Sequence, residues 1–300
     1  MLSCSASGLP LPAFEDETRP LRDELSQDSF SYIQPKDDIM TIAPGKKDQY
    51  NEMAIEYNSY QELPVARLEA ELIRTALGDC TGLAVLDLGG GSGSYARMAV
   101  RAGARQVDVV DISDAMMQIG KEIETKSSGQ SRIRWLLADV TKPMADQGVD
   151  VLPPGQYDIA MANWLFDHAH TVNDLRGMWM NIATSLKPGG KFIGIRAVAP
   201  GIFAEHNVKA GKYGCLRTEI RTIPGGLECT ATLLTNPPFS VGVTLMEDSY
   251  NMTDAIPRQL GMMGFGTVPK LETEVVKRDL EFWREHLDEP EFAVVTATRA

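Results

Sequence analysis

From about residue 48 the apolar residues fall at helical spacing. In ELPVARLEAELIRTAL (62–77), Val65, Leu68, Leu72, Ile73 and Ala76 share one face, Pro64 opens the segment and Gly78 follows it, which predicts an amphipathic helix. A regular alternation comes next. LAVLDL (83–88) reads as a buried strand, followed by a glycine-rich turn and the helix-like SYARMAVRAG. QVDVVDI (106–112) leads into AMMQIGKEIETK, and IRWLLADV (133–140) runs into a Pro- and Gly-bearing loop at 143–155. YDIAMANW (157–164) precedes a helix over about 173–186, which the turn Lys187-Pro188-Gly189-Gly190 stops, and KFIGIRAV (191–198) closes the series. Strands alternating with helices pair in parallel, because each crossover returns the chain to the same end of the sheet. The fold class predicted is therefore α/β, an open and mostly parallel sheet with helices on both faces.

After Pro200 the texture changes. Residues 213–247 alternate in period 2 around a Pro-Gly-Gly turn and an Asn-Pro-Pro turn, which predicts antiparallel strands inserted late in the sheet. A helix near 253–263, the segment GMMGFGTV, an amphipathic helix carrying Val276, Leu280, Trp283 and Leu287, and a last strand FAVVTATR complete the chain. Residues 1–45 hold five prolines and no sustained periodicity, so they are expected to form an irregular arm. The remainder, 46–300, is expected to be one domain with a cap insertion over about 200–252.

Composition narrows the function classes. Of 300 residues, 43% are apolar and 23% charged, enough apolar material for a sizeable core. The balance is acidic, with 29 Lys and Arg against 41 Asp and Glu for a net charge of −12, and such a field repels nucleic-acid phosphates. Cys4, Cys80, Cys215 and Cys229 are far apart with no CxxC pairing, so neither a disulfide framework nor a zinc site is expected. No stretch reaches the roughly 18–20 apolar residues of a spanning helix. The first 25 residues lack a basic region followed by a long apolar one, which predicts no secretory signal and a cytoplasmic protein.

The sharpest local feature is VLDLGGGSGSYA (85–96). A strand delivers the chain to Gly89, Gly90, Gly91 and Gly93 and a helix follows, so a ligand can lie against backbone N–H groups. Dinucleotide sites use the same device. A G-x-G-x-x-G pattern begun at Gly89 meets Ser94 in place of its third glycine, while one begun at Gly91 ends in the permitted Ala96, so a nicotinamide cofactor stays open here. Asp87, two residues before the first glycine, weighs against it, since a carboxylate repels a diphosphate but suits an ammonium or sulfonium. Asp111 ends the second strand, placed to accept from both ribose hydroxyls, and Asp139 ends the third, placed to accept from an adenine amino group. Ligands of open α/β sheets bind outside the carboxyl ends of the strands, so all three acids face one pocket.

These residues resemble the class I S-adenosylmethionine-dependent methyltransferases from about Tyr50 to Val198, and again at the C-terminus. VLDLGGGSGSYA looks like the first motif, VDVVDIS the second, WLLADV the adenine-contacting strand end and YDIAMANWLFDHA the fourth. LKPGGKFIG is similar to the turn into strand five. QYNEMAIEYNSY together with LEFWREHLDEP resembles the toxoflavin-biosynthesis-type small-molecule methyltransferases. The resemblance implies a seven-stranded Rossmann-like sheet of order 3-2-1-4-5-7-6 with an antiparallel last strand. It implies S-adenosylmethionine as methyl donor, leaving as S-adenosylhomocysteine. Gly89 and Gly91 would line its methionine portion, Asp111 its ribose, Ile112 and Met116 the adenine face, and Asp139 and Val140 the adenine edge. Asn163 would meet the methionine end, and Tyr57 and Tyr50 would close over the carboxylate. The expected partner is a small molecule of specialised metabolism methylated on N or O, with no nucleic acid and no membrane. A methyltransferase-like fold acting as a non-methylating cyclase or scaffold is one alternative, and an NAD(P)-dependent oxidoreductase the second.

Methyl transfer from a sulfonium is an in-line displacement, and a base is needed only where the acceptor must shed a proton. His168, just past the fourth strand, is the base candidate on its ordinary pKa near 6.5. Trp164, Phe203 and Tyr213 are the candidate apolar substrate wall. His168 and His170 form an HxH, but no acidic or cysteine partner stands at metal-ligand spacing, so no metal is expected.

Overall fold

The computed structural model describes residues 41–42, 56–126, 131–149, 153–199 and 211–300. The proposed arm at 1–45, apart from Thr41–Ile42, lies outside them, as do Tyr50 and Phe203.

A two-residue strand β1 (Thr41–Ile42) and a 3-10 turn (Glu56–Glu62) lead to α1 (Pro64–Leu77). Proline at the first helical position and Gly78 beyond the last end the helix on both sides as the sequence predicts. Then come β2 (Ala84–Leu88), α2 (Ser94–Arg101), β3 (Gln106–Asp111), α3 (Asp114–Lys126), β4 (Ile133–Leu137), β5 (Tyr157–Met161), α4 (Val172–Ser185) and β6 (Leu186–Ala197). The inserted strands are β7 (Cys215–Ile223), β8 (Gly226–Leu233) and β9 (Phe239–Met246). Short helices α5 (Glu247–Tyr250) and α6 (Ala255–Gln259) precede β10 (Met262–Thr267), and α7 (Glu274–Arg278) and α8 (Leu280–Asp288) precede β11 (Phe292–Arg299).

The main sheet has the order β10-β11-β6-β5-β2-β3-β4, and β11 runs antiparallel to both its neighbours. Numbered by first appearance within this sheet, that is the order 3-2-1-4-5-7-6 with a reversed last strand. The fold is the α/β fold of the class I methyltransferases. β7, β8 and β9 form a separate antiparallel sheet, extended by a parallel pairing of β1 with Ser240 and Val241.

Period-2 alternation divides the sheet into two buried faces. Val85, Val107, Val109, Ile159 and Ile193 pack with Leu68, Leu72 and Ile73 of α1 and with the inserted sheet. Leu86, Leu88, Val110, Ala160 and Phe192 pack instead with Met178, Trp179 and Ile182 of α4. Asp87 has the parity of Val85, so it belongs to the α1 and α2 side.

Three elements differ from the sequence reading. The Lys187-Pro188-Gly189-Gly190 turn lies inside β6 as an irregularity, since Tyr157 pairs with Leu186 but Ile159 with Lys191. The helix expected over 253–263 is only Ala255–Gln259, because Met262 onward pairs with β11 as the edge strand. The C-terminal amphipathic helix is two helices. Asp279 leaves helical geometry (φ −148°, ψ 74°) and its Oδ1 accepts from the Phe282 N–H at 3.0 Å, capping α8 and ending α7.

Candidate active site

The carboxyl ends of β2, β3, β4 and β5 open on a cavity of about 370 Å³. The glycine loop Gly89–Gly93 forms its floor. Gly93 adopts a left-handed conformation (φ 78°), and a Cβ there would lie 2.5 Å from the Trp135 ring, so the loop enters α2 only through glycine. A Cβ at Gly90 would lie 2.8 Å from Asp87 Oδ2, which lets the loop backbone pass directly over that carboxylate.

Asp87 is 1% exposed, and neither of its carboxylate oxygens has a hydrogen-bond partner. Burial, then the neighbouring Asp111, push its pKa up to about 8; the Ala96 N–H and the Arg97 guanidinium pull the other way without completing a bond. Asn163, also on the cavity wall, is 8% exposed with both amide atoms unpartnered. Buried polar groups are nearly always satisfied, so these orphaned atoms describe the complement of a ligand. An ammonium fits the carboxylate, and an α-amino acid end group fits the pair. On that test the residues fit S-adenosylmethionine. Asp111 is already anchored: Oδ2 accepts from the Gly91 N–H at 2.7 Å and Oδ1 from the Ser113 N–H at 2.8 Å. It thereby ties the glycine loop to the end of β3, and each oxygen keeps capacity for a second donor. Burial raises its pKa, opposed by those backbone donors.

Gly89, Gly91, Ile112, Met116, Asp139 and Val140 all line the same cavity. Ile112 is exposed and Met116 buried, the difference between a residue at the rim and one beneath it. Asp139 Oδ1 accepts from the Thr141 hydroxyl at 2.6 Å and its N–H at 2.9 Å. Tyr57 lies on the 3-10 turn, and its side chain falls outside the described residues.

Trp164 and His168 line the cavity as well. Trp164 has φ 60°, a left-handed conformation that costs a bulky residue on the order of 1–3 kcal/mol and here starts the turn Leu165–Asp167. His168 departs from the expectation for its protonation. Burial and the nearby His170 push its pKa down to about 4, so it stands neutral at pH 7 but holds a proton poorly. Tyr213 is not on the cavity wall. It is 2% exposed, stacked on Trp283 at 5.1 Å, and its hydroxyl donates to the Phe282 carbonyl at 3.0 Å, so it belongs to the core under α8. The inserted sheet reaches the site through β9: Thr244 bridges to His168, and its hydroxyl lies 3.2 Å from His170 Nδ1.

Sequence reasoning missed Tyr60 and Tyr95, which line the cavity, and Glu69 behind them. The signal was present. Glu69 stands four residues from both Val65 and Ile73, on the apolar face of α1, where a carboxylate is out of place.

Residues 85–190 match a family model described as a methyltransferase domain. The demethylmenaquinone methyltransferase of Tropheryma whipplei strain Twist is 32% identical over 117 residues, which are 39% of this chain and 43% of that protein. The chain thus spans less than half the length of this curated relative. In fold it is similar to the CcbJ methyltransferase of Streptomyces caelestis, with a TM-score of 0.57 at 15% identity over 86% of this chain and 98% of that one. It is also similar to the [4+2]-cyclase SpnF, with a TM-score of 0.52 at 14% identity over 86% and 97% of the two chains. Residues 85–190 thus match the methyltransferase-domain family model, and the strand order around them is that of the class I S-adenosylmethionine-dependent methyltransferase fold.

Proposed function

We propose that the protein transfers the methyl group of S-adenosylmethionine to a nitrogen or oxygen of a small molecule, in specialised metabolism of the kind the toxoflavin-type resemblance implies. The observation that carries the reading is the buried, unpartnered Asp87 carboxylate beneath the glycine loop. A dinucleotide would bring its diphosphate to that loop. Among the described residues the cavity wall holds Asp87, Asp111, Asp139 and Asp174 against Arg97 and Lys142, a balance that favours a cationic ligand.

When bound, S-adenosylmethionine supplies an electrophilic methyl on a sulfonium. The chain's residues position it: Asp87 and Asn163 at the amino-acid end, Asp111 at the ribose, Ile112, Met116, Asp139 and Val140 around the adenine. Trp164 walls the space for the acceptor, with neutral His168 beside it. A small acceptor suits a cavity of this size and an acidic chain. Among the described residues no helix is long and apolar enough to cross a membrane.

Calorimetric titration with S-adenosylhomocysteine, with NAD and NADP in parallel, tests the reading. Micromolar binding of S-adenosylhomocysteine alone is the expected result, and binding of NAD or NADP instead would contradict it. Mass spectrometry then separates transfer from a non-methylating role, since only transfer adds a methyl group to an acceptor.

A further inference from the structure

Behind the cavity wall lies an acid–base group that the positions assigned above leave unused. Glu69, on α1, is fully buried, and both its oxygens face the site through tyrosines. Tyr60 Oη donates to Oε1 at 2.5 Å, and Tyr95 Oη donates to Oε2 at 3.1 Å. Tyr60 comes from the 3-10 turn, Tyr95 from the first turn of α2, and both line the cavity beside Trp164. Three separate elements therefore converge on one carboxylate, and two phenol oxygens stand between it and the ligand space.

We propose that Glu69 is the proton acceptor of the methyl transfer, working through the hydroxyls of Tyr60 and Tyr95; the proposal rests on the function inferred above. The acceptor then belongs to the class that must give up a proton to be methylated: a phenol, which loses it as it attacks, or a protonated amine, which loses it first to free its lone pair. Its lone pair forms the bond to the methyl carbon as the carbon–sulfur bond breaks, and that bonding pair stays on sulfur. The acceptor's proton passes to a tyrosine oxygen while that tyrosine's own proton passes to Glu69. The products are the methylated acceptor, S-adenosylhomocysteine and a protonated Glu69, which returns its proton to solvent along the same path before the next turnover. Glu69 is a positioning and proton-storing residue, and the tyrosines are the groups that meet the substrate.

The surroundings of Glu69 suit this role. Burial pushes its pKa up to about 7, opposed by the Tyr60 and Tyr95 donors, by the neighbouring Trp164 and by the Arg217 guanidinium on β7; the Cys215 thiol, also on β7, lies in its field. A group balanced near neutrality takes and gives a proton with little bias, as general bases require. His168, pushed down to about 4, is much the weaker proton store.

The experiment uses the full chain and the variants E69Q, Y60F and Y95F. Binding of S-adenosylhomocysteine is measured first; E69Q is expected to match wild type within about twofold. Failure of wild type to bind would remove the function on which the proposal rests, a result distinct from the arms that follow. Carbon-13 NMR of carboxyl-labelled glutamate in the S-adenosylhomocysteine complex should show a signal with a midpoint near pH 7 that E69Q removes and that Y60F and Y95F displace. A Glu69 signal that stays ionised, or stays protonated, from pH 5 to 9 would overturn the proposal. Methyl transfer to a panel of primary amines and phenols at saturating S-adenosylmethionine gives the second readout. For any acceptor that turns over, E69Q should lower kcat by about 10²–10⁴-fold and flatten its rise with pH, with the KM for S-adenosylmethionine unchanged. Retention of both kcat and the pH inflection in E69Q would reduce Glu69 to a structural residue.

Discussion

Asp111 and Asp87 end adjacent strands and face the same glycine loop, yet their situations are opposite. Asp111 spends its oxygens on the Gly91 and Ser113 N–H groups, so it shapes the loop before any ligand arrives. Asp87 has no such partner and is held largely protonated by its burial. Asp111→Ala should therefore weaken S-adenosylhomocysteine binding by about 1.5–3 kcal/mol, roughly 10- to 150-fold, through lost ribose bonds and a loosened loop. Titration calorimetry checks this, and unchanged affinity would remove the ribose assignment. Position along the chain revealed both acids, because strand ends and glycine turns are marked by short-range pattern. Glu69 escaped because its partners Tyr60 and Tyr95 lie 9 and 26 residues away, and period alone marks it only as an anomaly. Tyr213 was misread for a related reason: its ring is committed to Trp283, 70 positions on in the chain, which no local pattern reports.

At the scale of elements, α4 governs one wall of the cavity through Asp174 and Met178. Its start is fixed by a reciprocal cap: Thr171 Oγ1 accepts from the Asp174 N–H at 3.1 Å, and Asp174 Oδ2 accepts from the Thr171 N–H at 3.0 Å. Thr171→Ala removes half of that arrangement and should cost about 0.5–1 kcal/mol, a fall in Tm of roughly 1–3 °C. It also removes the Thr171 hydroxyl bond to the Asp174 carboxylate at the cavity rim and leaves the backbone N–H bond in place. A thermal melt checks the first effect; no change in Tm would show that packing of Trp179 and Ile182 alone fixes the helix. The strand–helix alternation of this half of the chain was legible throughout, since each element is long enough to display its period. Elements after residue 250 were less legible. Asp279 interrupts an apparently continuous amphipathic helix, and Met262–Thr267 becomes a strand only because β11 offers it a partner. Pairing with an element thirty residues later overrides local propensity.

Across the whole molecule, buried carboxyls dominate the pH response. Burial raises the pKa of Asp87 to about 8, of Glu69 and Glu291 to about 7 and of Asp167 to about 6. Between pH 6.5 and 8 the folded chain thus retains protons that the unfolded chain, with ordinary carboxyls, has already lost. Stability must fall as pH rises through that window. Below it, the buried His168 and His286, held down at about 4 and 3, resist protons that the unfolded chain accepts, but the four carboxyls outnumber them, so stability starts to fall only as the pH drops toward the ordinary carboxyl range. The ligand-free protein should show a higher Tm at pH 6 than at pH 8. Saturating S-adenosylhomocysteine should lessen that decline, because its ammonium favours ionised Asp87. Differential scanning calorimetry across this range is the check, and a Tm that rises from pH 6.5 to 8 would contradict the burial of these groups.

The proposed role of the Asp87 carboxylate is to seat the ammonium of S-adenosylmethionine. The most direct measurement is calorimetry of S-adenosylhomocysteine binding at pH 7 in buffers of different ionisation enthalpy, for wild type and Asp87→Asn. A carboxyl with a pKa of about 8 must lose its proton to face an ammonium. Wild type should therefore release close to one proton per ligand bound. Asp87→Asn should release none and bind at least about tenfold more weakly. Equal affinity and equal proton release in the two proteins would contradict the account.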